Sequence, residues 1–350
     1  MKNRKSVLRL PSGDTFELPL LVPSFTSKGF DFGCKSEFEP ETLCSDTNYA
    51  LEQLGKFITE SLLVSAYDLH HSHFVKPEQH ITQASLVFID SGGYELRNDF
   101  DSSEPRRSPH APKPFTPEDY RDQLTQLSEL RLPIVAANFD WVPPEEEQKS
   151  LEKQIQDARS LFHHFPRIAA NFIIKPEPNE FQLDINRIVG QIEQLKTFSV
   201  IGVTEKEIGR NLIAKLGFIA RLREELDRLN ATAPIHIWGG LDPLVTPLYF
   251  LAGADIFDGV SWLRYAYHNG FSTNSQGYPV IKGQLDMSRN HCDIRRYDAN
   301  LMALRTLTNN LRAYSLVRPR SFAIFGDNRS MYEEAWHHMT TSISELRGVE

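Results

Sequence analysis

Several features are scarce in this chain of 350 residues, and each scarcity excludes a class of protein. The sequence holds three cysteines, Cys34, Cys44 and Cys292, and no two of them form a CxxC pair. Such an odd and sparse set argues against a disulfide framework and against an all-cysteine zinc site. We therefore expect the thiols to be reduced.

Long apolar runs are also missing. No stretch approaches the roughly 18 consecutive apolar residues that a membrane span requires. The first five residues, Met1 to Lys5, are followed by polar residues rather than by the apolar segment of a secretory signal. The sequence therefore predicts a cytoplasmic protein with no membrane partner.

The chain also has no excess of positive charge, since its formal net charge is -8. Contact with nucleic-acid phosphates normally requires a basic surface. The segment 289–320 is an exception, with seven arginines against two aspartates. An isolated cluster of this kind is typical of a solvated helix face. Here the chemistry of the preceding residues favours phosphate contact instead.

Short apolar runs, separated by amphipathic stretches, are what the chain does have. Fully apolar runs suit strands buried on both faces of a parallel sheet. Segments 145–162 and 205–229 are then the crossover helices. The pattern predicts an α/β fold, a (β/α)₈ TIM barrel more than an open sheet, as one domain over 1–350. The runs are Leu62–Tyr67, Ser85–Asp90, Ile134–Asp140, Ala169–Ile174, Ser199–Val203, Ile235–Trp238 and Ala254–Val260.

Two regions depart from this alternation. Residues 99–117 are rich in proline and serine and predict a long loop, either a functional lid or a plain excursion. From about residue 270 the pattern changes. Gly270–Gly283 is typical of a turn-rich excursion and Asp298–Leu316 of an amphipathic helix. We expect 270–350 to form an excursion followed by a C-terminal helical appendage.

Polar residues stand repeatedly at the ends of the apolar runs. In a barrel all of these positions face one mouth, where barrel enzymes keep their active sites. A single strand-end aspartate is usually a helix cap or a loop residue, but several on one mouth favour catalysis. Two carboxylates can act on a sugar carbon, one attacking C1′ and the other transferring protons. The strand-end acids are Asp68, Asp90, Asp140, Glu177, Glu205 and Asp258.

Residues after the second and third runs suit a flat, polar ligand. Ser91-Gly92-Gly93 would let the backbone approach such a ligand closely, and Tyr94 could stack on it. Asp140 can accept hydrogen bonds from the N1–H and N2 amine of guanine. It can equally cap a helix that starts near Pro143.

Five segments resemble the tRNA-guanine transglycosylase superfamily, whose members are (β/α)₈ barrels that exchange guanine for a 7-deazaguanine. The most specific is Gly253–Val260, similar to the GvDmFDcv motif and followed by Arg264 where the family has the arginine of PTR. The others resemble the TPxF, NTYHL, TDSGG(F/Y) and FDEC motifs, and are Leu21–Phe25, Ser65–Leu69, Phe88–Tyr94 and Asn138–Asp140.

The resemblance implies a role for each matching residue. Asp258 is the nucleophile that bonds covalently to C1′, and Asp90 is the general acid and base. Asp140 recognises the edge of the guanine, and Tyr94 stacks on its ring. Ile201–Thr204 takes the place of the family's GGL, and Lys175 lies where the family has a glutamine. The implied substrate-binding set is Ser91, Gly92, Gly93, Tyr94, Asp140, Lys175, Gly202, Thr204 and Arg264.

The zinc site of the tRNA enzymes is eroded in this sequence. Their CxCxxC motif is reduced to Cys292, and Asn309-Asn310 stands where they have a histidine. Structural zinc takes four ligands, and we can nominate only His291 and Cys292. We therefore expect no cofactor and no zinc. Together with the missing glutamine, this resembles the branch that inserts 7-cyano-7-deazaguanine into DNA.

The expected function is thus replacement of guanine in DNA by a 7-deazaguanine through an aspartyl-nucleotide intermediate. Expected partners are the nucleic acid, the free deazapurine and proteins that open the DNA. Three alternatives stay open: the same exchange on tRNA, a non-catalytic accessory subunit, and a glycoside hydrolase. Candidate contacts to the nucleic-acid backbone are Arg289, Arg295, Arg296 and Arg312.

Overall fold

The structure is a computed structural model that describes residues 7–39, 41, 43–98, 104, 110–317 and 320–348. Its strands are, in chain order, β1 Val7–Arg9, β2 Thr15–Glu17, β3 Leu20–Phe25, β4 Phe32–Lys35, β5 Leu43–Ser45, β6 Ser61–Ser65, β7 Leu86–Asp90, β8 Ile134–Ala137, β9 Ala169–Ile174, β10 Val200–Thr204, β11 Ile235–Trp238, β12 Ile256–Gly259, β13 Tyr265–His268 and β14 Phe271–Asn274.

The helices lie mainly between the strands. They are α1 Asp46–Leu54, α2 Ala66–His70, α3 Glu78–Ile81, α4 Pro117–Glu129, α5 Leu151–His163, α6 Ile185–Gly190, α7 Ile192–Leu195, α8 Leu212–Arg228, α9 Thr246–Ala252, α10 Ser261–Arg264, α11 Tyr278–Lys282, α12 Arg289–Leu316 and α13 Arg329–Gly348. Short 3₁₀ turns occur at Gly55–Phe57, Glu205–Glu207, Ser275–Gly277 and Phe322–Asn328.

Eight parallel strands close into a barrel. They follow the order β3, β6, β7, β8, β9, β10, β11 and β12, and β12 pairs back onto β3. The predicted (β/α)₈ barrel is therefore confirmed, and each of the seven predicted runs overlaps a strand. The eighth strand, β3, was not among them, because a proline such as Pro23 argues against a central strand.

The barrel has a separate core on each side of its wall. Side chains alternate between the two faces of a strand, so every second residue points inward. The inward set is apolar at the amino-terminal end, where Leu8, Leu10 and Leu18 pack beneath Leu20 and Leu86. The outward faces pack against the helices in a second, larger cluster.

Inward positions become polar toward the carboxyl ends of the strands. Ser24 stands two residues after Val22, and Asp258 two residues after Ile256. The alternation that fills the interior with apolar residues therefore also directs these polar side chains to the mouth of the barrel.

Both predicted crossover helices exist but begin later than expected. Segment 145–162 becomes α5, which starts at Leu151 after its N-cap Ser150. Segment 205–229 becomes α8, which starts at Leu212 after Asn211. Each cap side chain accepts a hydrogen bond from a backbone N–H of the first turn, and this sets where each helix begins.

The predicted C-terminal helical appendage is confirmed. Helix α12 begins at Arg289 rather than Asp298. Its Asn300 accepts from the Tyr267 amide at 2.8 Å and donates to the Trp262 carbonyl at 2.6 Å. These bonds fasten α12 to the segment that follows β12. Within the predicted excursion, β14 forms a hairpin with β13.

The predicted loop 99–117 lies partly outside the described residues, which lack 99–103 and 105–109. Residues 110–116 have no regular structure, and Pro117 already belongs to α4, whose start is capped by Thr116 and Asp119. Among the described helices, none combines the length and the apolar character needed to cross a bilayer.

Candidate functional site

A cavity of about 450 Å³ opens at the carboxyl ends of the barrel strands, a volume typical of small-molecule pockets. Eleven residues were predicted to act on or bind the substrate. Eight of them line this cavity: Asp90, Gly93, Tyr94, Asp140, Lys175, Thr204, Asp258 and Arg264. The lining does not include Ser91, Gly92 or Gly202.

Asp258 lies near the end of β12 and is 5 % exposed. Its Oδ2 accepts a hydrogen bond from the Ser24 hydroxyl at 2.8 Å. Its Oδ1 accepts from the Gly239 amide and lies next to His236 Nε2, both at 3.1 Å. Hydrogen bonds to a carboxylate are strong, and together they fix this group in one orientation, as a nucleophile requires.

Asp90 is the last residue of β7 and is partly exposed to the cavity. Burial raises its pKa well above the usual range, and the neighbouring carboxyl groups of Glu95, Asp140 and Asp258 raise the pKa further. The raised pKa favours the protonated form. A carboxyl group in this state can act as a general acid.

Asp140 joins two parts of the cavity wall. One of its oxygens accepts from the Ser91 hydroxyl, and the other lies 3.5 Å from Lys175 Nζ. The alternative that Asp140 caps a helix is wrong. Residues 141–150 contain turns but no helix. The next helix, α5, starts only at Leu151, and its N-cap is Ser150.

Lys175 follows β9 and is 8 % exposed. Its Nζ donates to Thr204 Oγ1 at 3.2 Å and to Glu207 Oε2 at 3.0 Å. Arg97 lies 3.8 Å from the other oxygen of Glu207. Two cationic side chains, Lys175 and Arg97, therefore lie on the side of the cavity that also holds Asp140.

The glycines of the Ser91-Gly92-Gly93 turn make room for side chains. Gly92 has a φ of +90°, and a Cβ there would lie 2.7 Å from Tyr67 Cβ. A Cβ on Gly93 would lie 2.8 Å from Asp140 Oδ1. The turn thus allows Asp140 to approach the backbone, and Gly93 also lines the cavity.

Tyr94 forms a fixed aromatic wall. Its hydroxyl accepts from Arg264 Nη2 at 2.7 Å, and the buried Lys28 ammonium lies 4.4 Å from its ring centroid. Burial raises the pKa of Tyr94 to about 12, against the lowering effect of Arg264. The phenol is therefore neutral at physiological pH, and its ring is held in place by two cations.

Gly202 supports the cavity from behind. A Cβ at this position would lie 2.6 Å from Trp238 Nε1 and 2.7 Å from Asn171 Oδ1. Trp238 lines the cavity and stacks on His236. The absence of a side chain at Gly202 therefore sets the position of the residues around Asp258.

We expect Gly202→Ala to destabilise the protein by about 1–3 kcal/mol, because the new methyl group overpacks the barrel interior. Thermal unfolding would measure the loss, and tryptophan fluorescence would report the displacement of Trp238. Gly217→Ala in α8 is the matched control, since nothing lies within 4 Å of its added Cβ. Equal melting temperatures for the two variants would contradict this packing argument.

Glu95 is a buried acid that the sequence did not indicate. It is 1 % exposed, and the hydroxyls of Ser65, at 2.9 Å, and Thr26 both donate to it. Burial and the nearby Asp68 raise its pKa to about 7. A group that exchanges its proton near neutral pH thus lies close enough to raise the pKa of Asp90.

The residues that sequence reasoning missed are polar side chains inside or beside apolar strands. Asn171 interrupts β9, and His236 alternates with apolar residues in β11. Buried polar residues are uncommon and need a partner, so this pattern was the signal that could have revealed them. Ser24, in β3, and Glu207 are two further examples.

The four arginines predicted to contact phosphates differ in their surroundings. Arg296 is 3 % exposed and donates to the carbonyls of Leu263 and Tyr265. Arg312 donates to the carbonyls of Glu17 and Pro19, and pairs with Glu60 at 2.6 Å.

The phosphate assignment of Arg296 and Arg312 is therefore corrected, because their guanidinium groups are engaged in holding α12 to the barrel. Arg289 and Arg295 remain exposed. Arg289, however, shares its surface pocket with Asp31, Asp46 and Asp293.

His291 and Cys292, the two nominated zinc ligands, lie in the first turn of α12. Over the described part of the chain, no group of three or more histidine, cysteine or acidic side chains is arranged to hold a metal ion. No family model matches this chain, and no curated protein matches it.

Proposed function

We propose that this protein is a base-exchange transglycosylase of the tRNA-guanine transglycosylase type, which replaces guanine in a nucleic acid by a 7-deazaguanine. The observation that carries the proposal is the pair Asp258 and Asp90 on one cavity. Three donors surround the first carboxylate, whereas burial and the neighbouring carboxyl groups raise the pKa of the second. Two carboxyl groups with such opposed environments suit a nucleophile and a general acid.

The first half-reaction would break the bond between guanine and its sugar. The guanine nucleotide leaves its stack and enters the cavity. An oxygen of Asp258 bonds to C1′ while the C1′–N9 bond breaks, and Asp90 gives its proton to the departing base. The product is an ester between Asp258 and the nucleic acid.

The second half-reaction would reverse these steps with a different base. The incoming 7-deazapurine loses its N9 proton to Asp90 and attacks C1′. The C1′–O bond breaks, and Asp258 returns as a carboxylate. Electrons and protons balance within the two residues and the two bases, so the exchange needs no redox cofactor or nucleotide triphosphate.

Asp140 and Lys175 favour a guanine-type base. The Watson–Crick edge of guanine places two donors, N2 and N1–H, beside the acceptor O6. Asp140 accepts, and the adjacent ammonium of Lys175 donates, so the pair can match N1–H and O6. Adenine presents a donor and an acceptor in the opposite places, and would face both side chains with the wrong partner.

We expect Asp140→Asn to lower kcat/KM for guanine exchange by about 10²-fold or more, because the amide keeps one acceptor oxygen where the carboxylate has two, and the Ser91 hydroxyl already donates to this side chain. Exchange of radiolabelled guanine measures the effect. Asp122→Asn, at an exposed position of α4, is the control and should keep wild-type activity. Wild-type kcat/KM in Asp140→Asn would refute the assignment of Asp140 to the base edge.

DNA is the favoured polymer because the sequence resembles the DNA branch, and tRNA is the alternative. Phosphate contacts at the mouth are better assigned to Arg97 and Lys206, which line the cavity, than to Arg296 or Arg312. Purified protein incubated with labelled guanine and either DNA or tRNA tests the proposal. Incorporation into DNA supports it, incorporation into tRNA alone changes the polymer, and incorporation into neither refutes base exchange.

A further inference from the structure

A chain of hydrogen bonds crosses the barrel interior behind Asp258. Asn171 and His236 are both fully buried, in β9 and β11. Asn171 Nδ2 lies 2.7 Å from His236 Nδ1, and His236 Nε2 lies 3.1 Å from Asp258 Oδ1. Burial of polar groups is unfavourable unless they are hydrogen-bonded, and these two contacts pair the Asn171 amide nitrogen, both ring nitrogens of His236 and Asp258 Oδ1.

The amide group of Asn171 determines the proton position on the imidazole. An amide nitrogen can only donate, so His236 Nδ1 is an acceptor and carries no proton. The single proton of the imidazole is then on Nε2, where it donates to Asp258. His236 is thus a neutral donor to the carboxylate.

Aromatic neighbours fix the plane of this imidazole. Trp238 stacks on it with ring centroids 4.4 Å apart, and Phe88 meets it edge-on at 5.6 Å. A ring held in this way cannot follow a carboxylate that rotates. Asp258 must therefore adopt the orientation that the Nε2–H bond imposes.

We infer that Asn171 and His236 are positioning residues for Asp258 and direct its Oδ2 toward the substrate carbon. The inference rests on the proposed function of Asp258 as nucleophile. Oδ1 is occupied by two donors fixed in the barrel wall, whereas Oδ2 receives one hydroxyl that can rotate, from Ser24. Oδ2 is therefore the oxygen that attacks C1′, and the donors on Oδ1 stabilise the carboxylate when it departs.

Nuclear magnetic resonance tests the hydrogen-bond chain without any activity. In protein with ¹⁵N-labelled histidine, His236 should show an unprotonated Nδ1 and a protonated Nε2, with His236→Gln used to assign the signals. Asn171→Asp replaces the donor by an acceptor and should move a proton onto Nδ1. A protonated Nδ1 in the wild type would overturn the inference.

Kinetics test the positioning role. His236→Phe should lower kcat for guanine exchange by about 10²-fold and change KM little, because the base contacts remain. His236→Gln retains an amide donor and should recover part of the rate. His80→Gln, at another buried histidine outside the cavity, is the matched control and should exchange normally.

The experiments distinguish failure of the positioning role from failure of the proposed function. If the wild type exchanges guanine and His236→Phe does so equally fast, the positioning role is refuted while the proposed function stands. If the wild type exchanges no base, the proposed function and the direction of Oδ2 attack both fall. In that case the imidazole signals still decide whether Asn171 sets the tautomer of His236.

Discussion

Asp258→Asn is expected to abolish base exchange, with a fall in rate of about 10⁴-fold or more, because an amide does not form the covalent intermediate. The variant should also yield no denaturant-stable adduct with DNA, whereas the wild type should yield one in the absence of an incoming base. Gel electrophoresis of labelled DNA measures the adduct. An adduct that persists in Asp258→Asn would show that Asp258 is not the nucleophile.

Asp255, three residues earlier, is the contrasting aspartate. It is 2 % exposed, pairs with the buried Arg223 at 3.1 Å and accepts from the Ile235 amide at 2.8 Å. Asp255→Asn removes the buried carboxylate that lies 3.1 Å from Arg223, while Asp227 stays 3.6 Å from that guanidinium. The loss of the buried charge pair should destabilise the fold by about 3 kcal/mol. Asp258→Asn should unfold near the wild-type temperature. Loss of activity without loss of stability would therefore identify Asp258 as the reacting group.

Asp90→Asn is expected to lower the exchange rate by about 10²–10⁴-fold, because the departing base would lose its proton donor. A leaving group that is already easily displaced needs no proton, so a nucleotide with an activated base should be processed by the variant at close to the wild-type rate. Single-turnover kinetics with both substrates measures the difference. An equal loss on both would contradict the assignment of Asp90 as the acid.

The same substitution should stabilise the fold. The pKa of Asp90 is higher in the folded chain than in the unfolded one. The stability that this contributes is complete below the ordinary carboxyl pKa and is lost as pH rises through the raised pKa. Asp90→Asn does not titrate, so its advantage in melting temperature over the wild type should grow with pH. Glu95, with a pKa of about 7, is present in both proteins and contributes the same pH dependence to both melting temperatures.

The barrel could be predicted from the sequence because a strand buried on both faces leaves a direct signal, a short run of apolar residues. Strand β3 was not predicted because Pro23 interrupts its run of apolar residues. The sites of Asp90, Asp140 and Lys175 could be located at the mouth because a parallel barrel brings all carboxyl ends together. Their roles came from the resemblance and not from these positions.

The partners of these residues could not be predicted in the same way. Ser24 and Asp258 are 234 residues apart in sequence, and only closure of the barrel between β12 and β3 makes them neighbours. Arg296 resembled a phosphate ligand because its charge is visible in the sequence, whereas the two carbonyls that bind it appear only when α12 is packed. Sequence shows which groups are present, and the fold decides which of them are already engaged.

Closure of the barrel floor has a kinetic consequence. Because Leu8, Leu10 and Leu18 fill the amino-terminal end of the interior, the cavity of the described residues opens at the mouth, where the polymer of the proposed reaction would also lie. Released guanine and the incoming base would then use the same opening of the cavity. Because both bases would also react with the same aspartyl-nucleotide intermediate, free guanine should act as a competitive product inhibitor toward the incoming base. The ratio of the two free bases would then set how much of the polymer is modified.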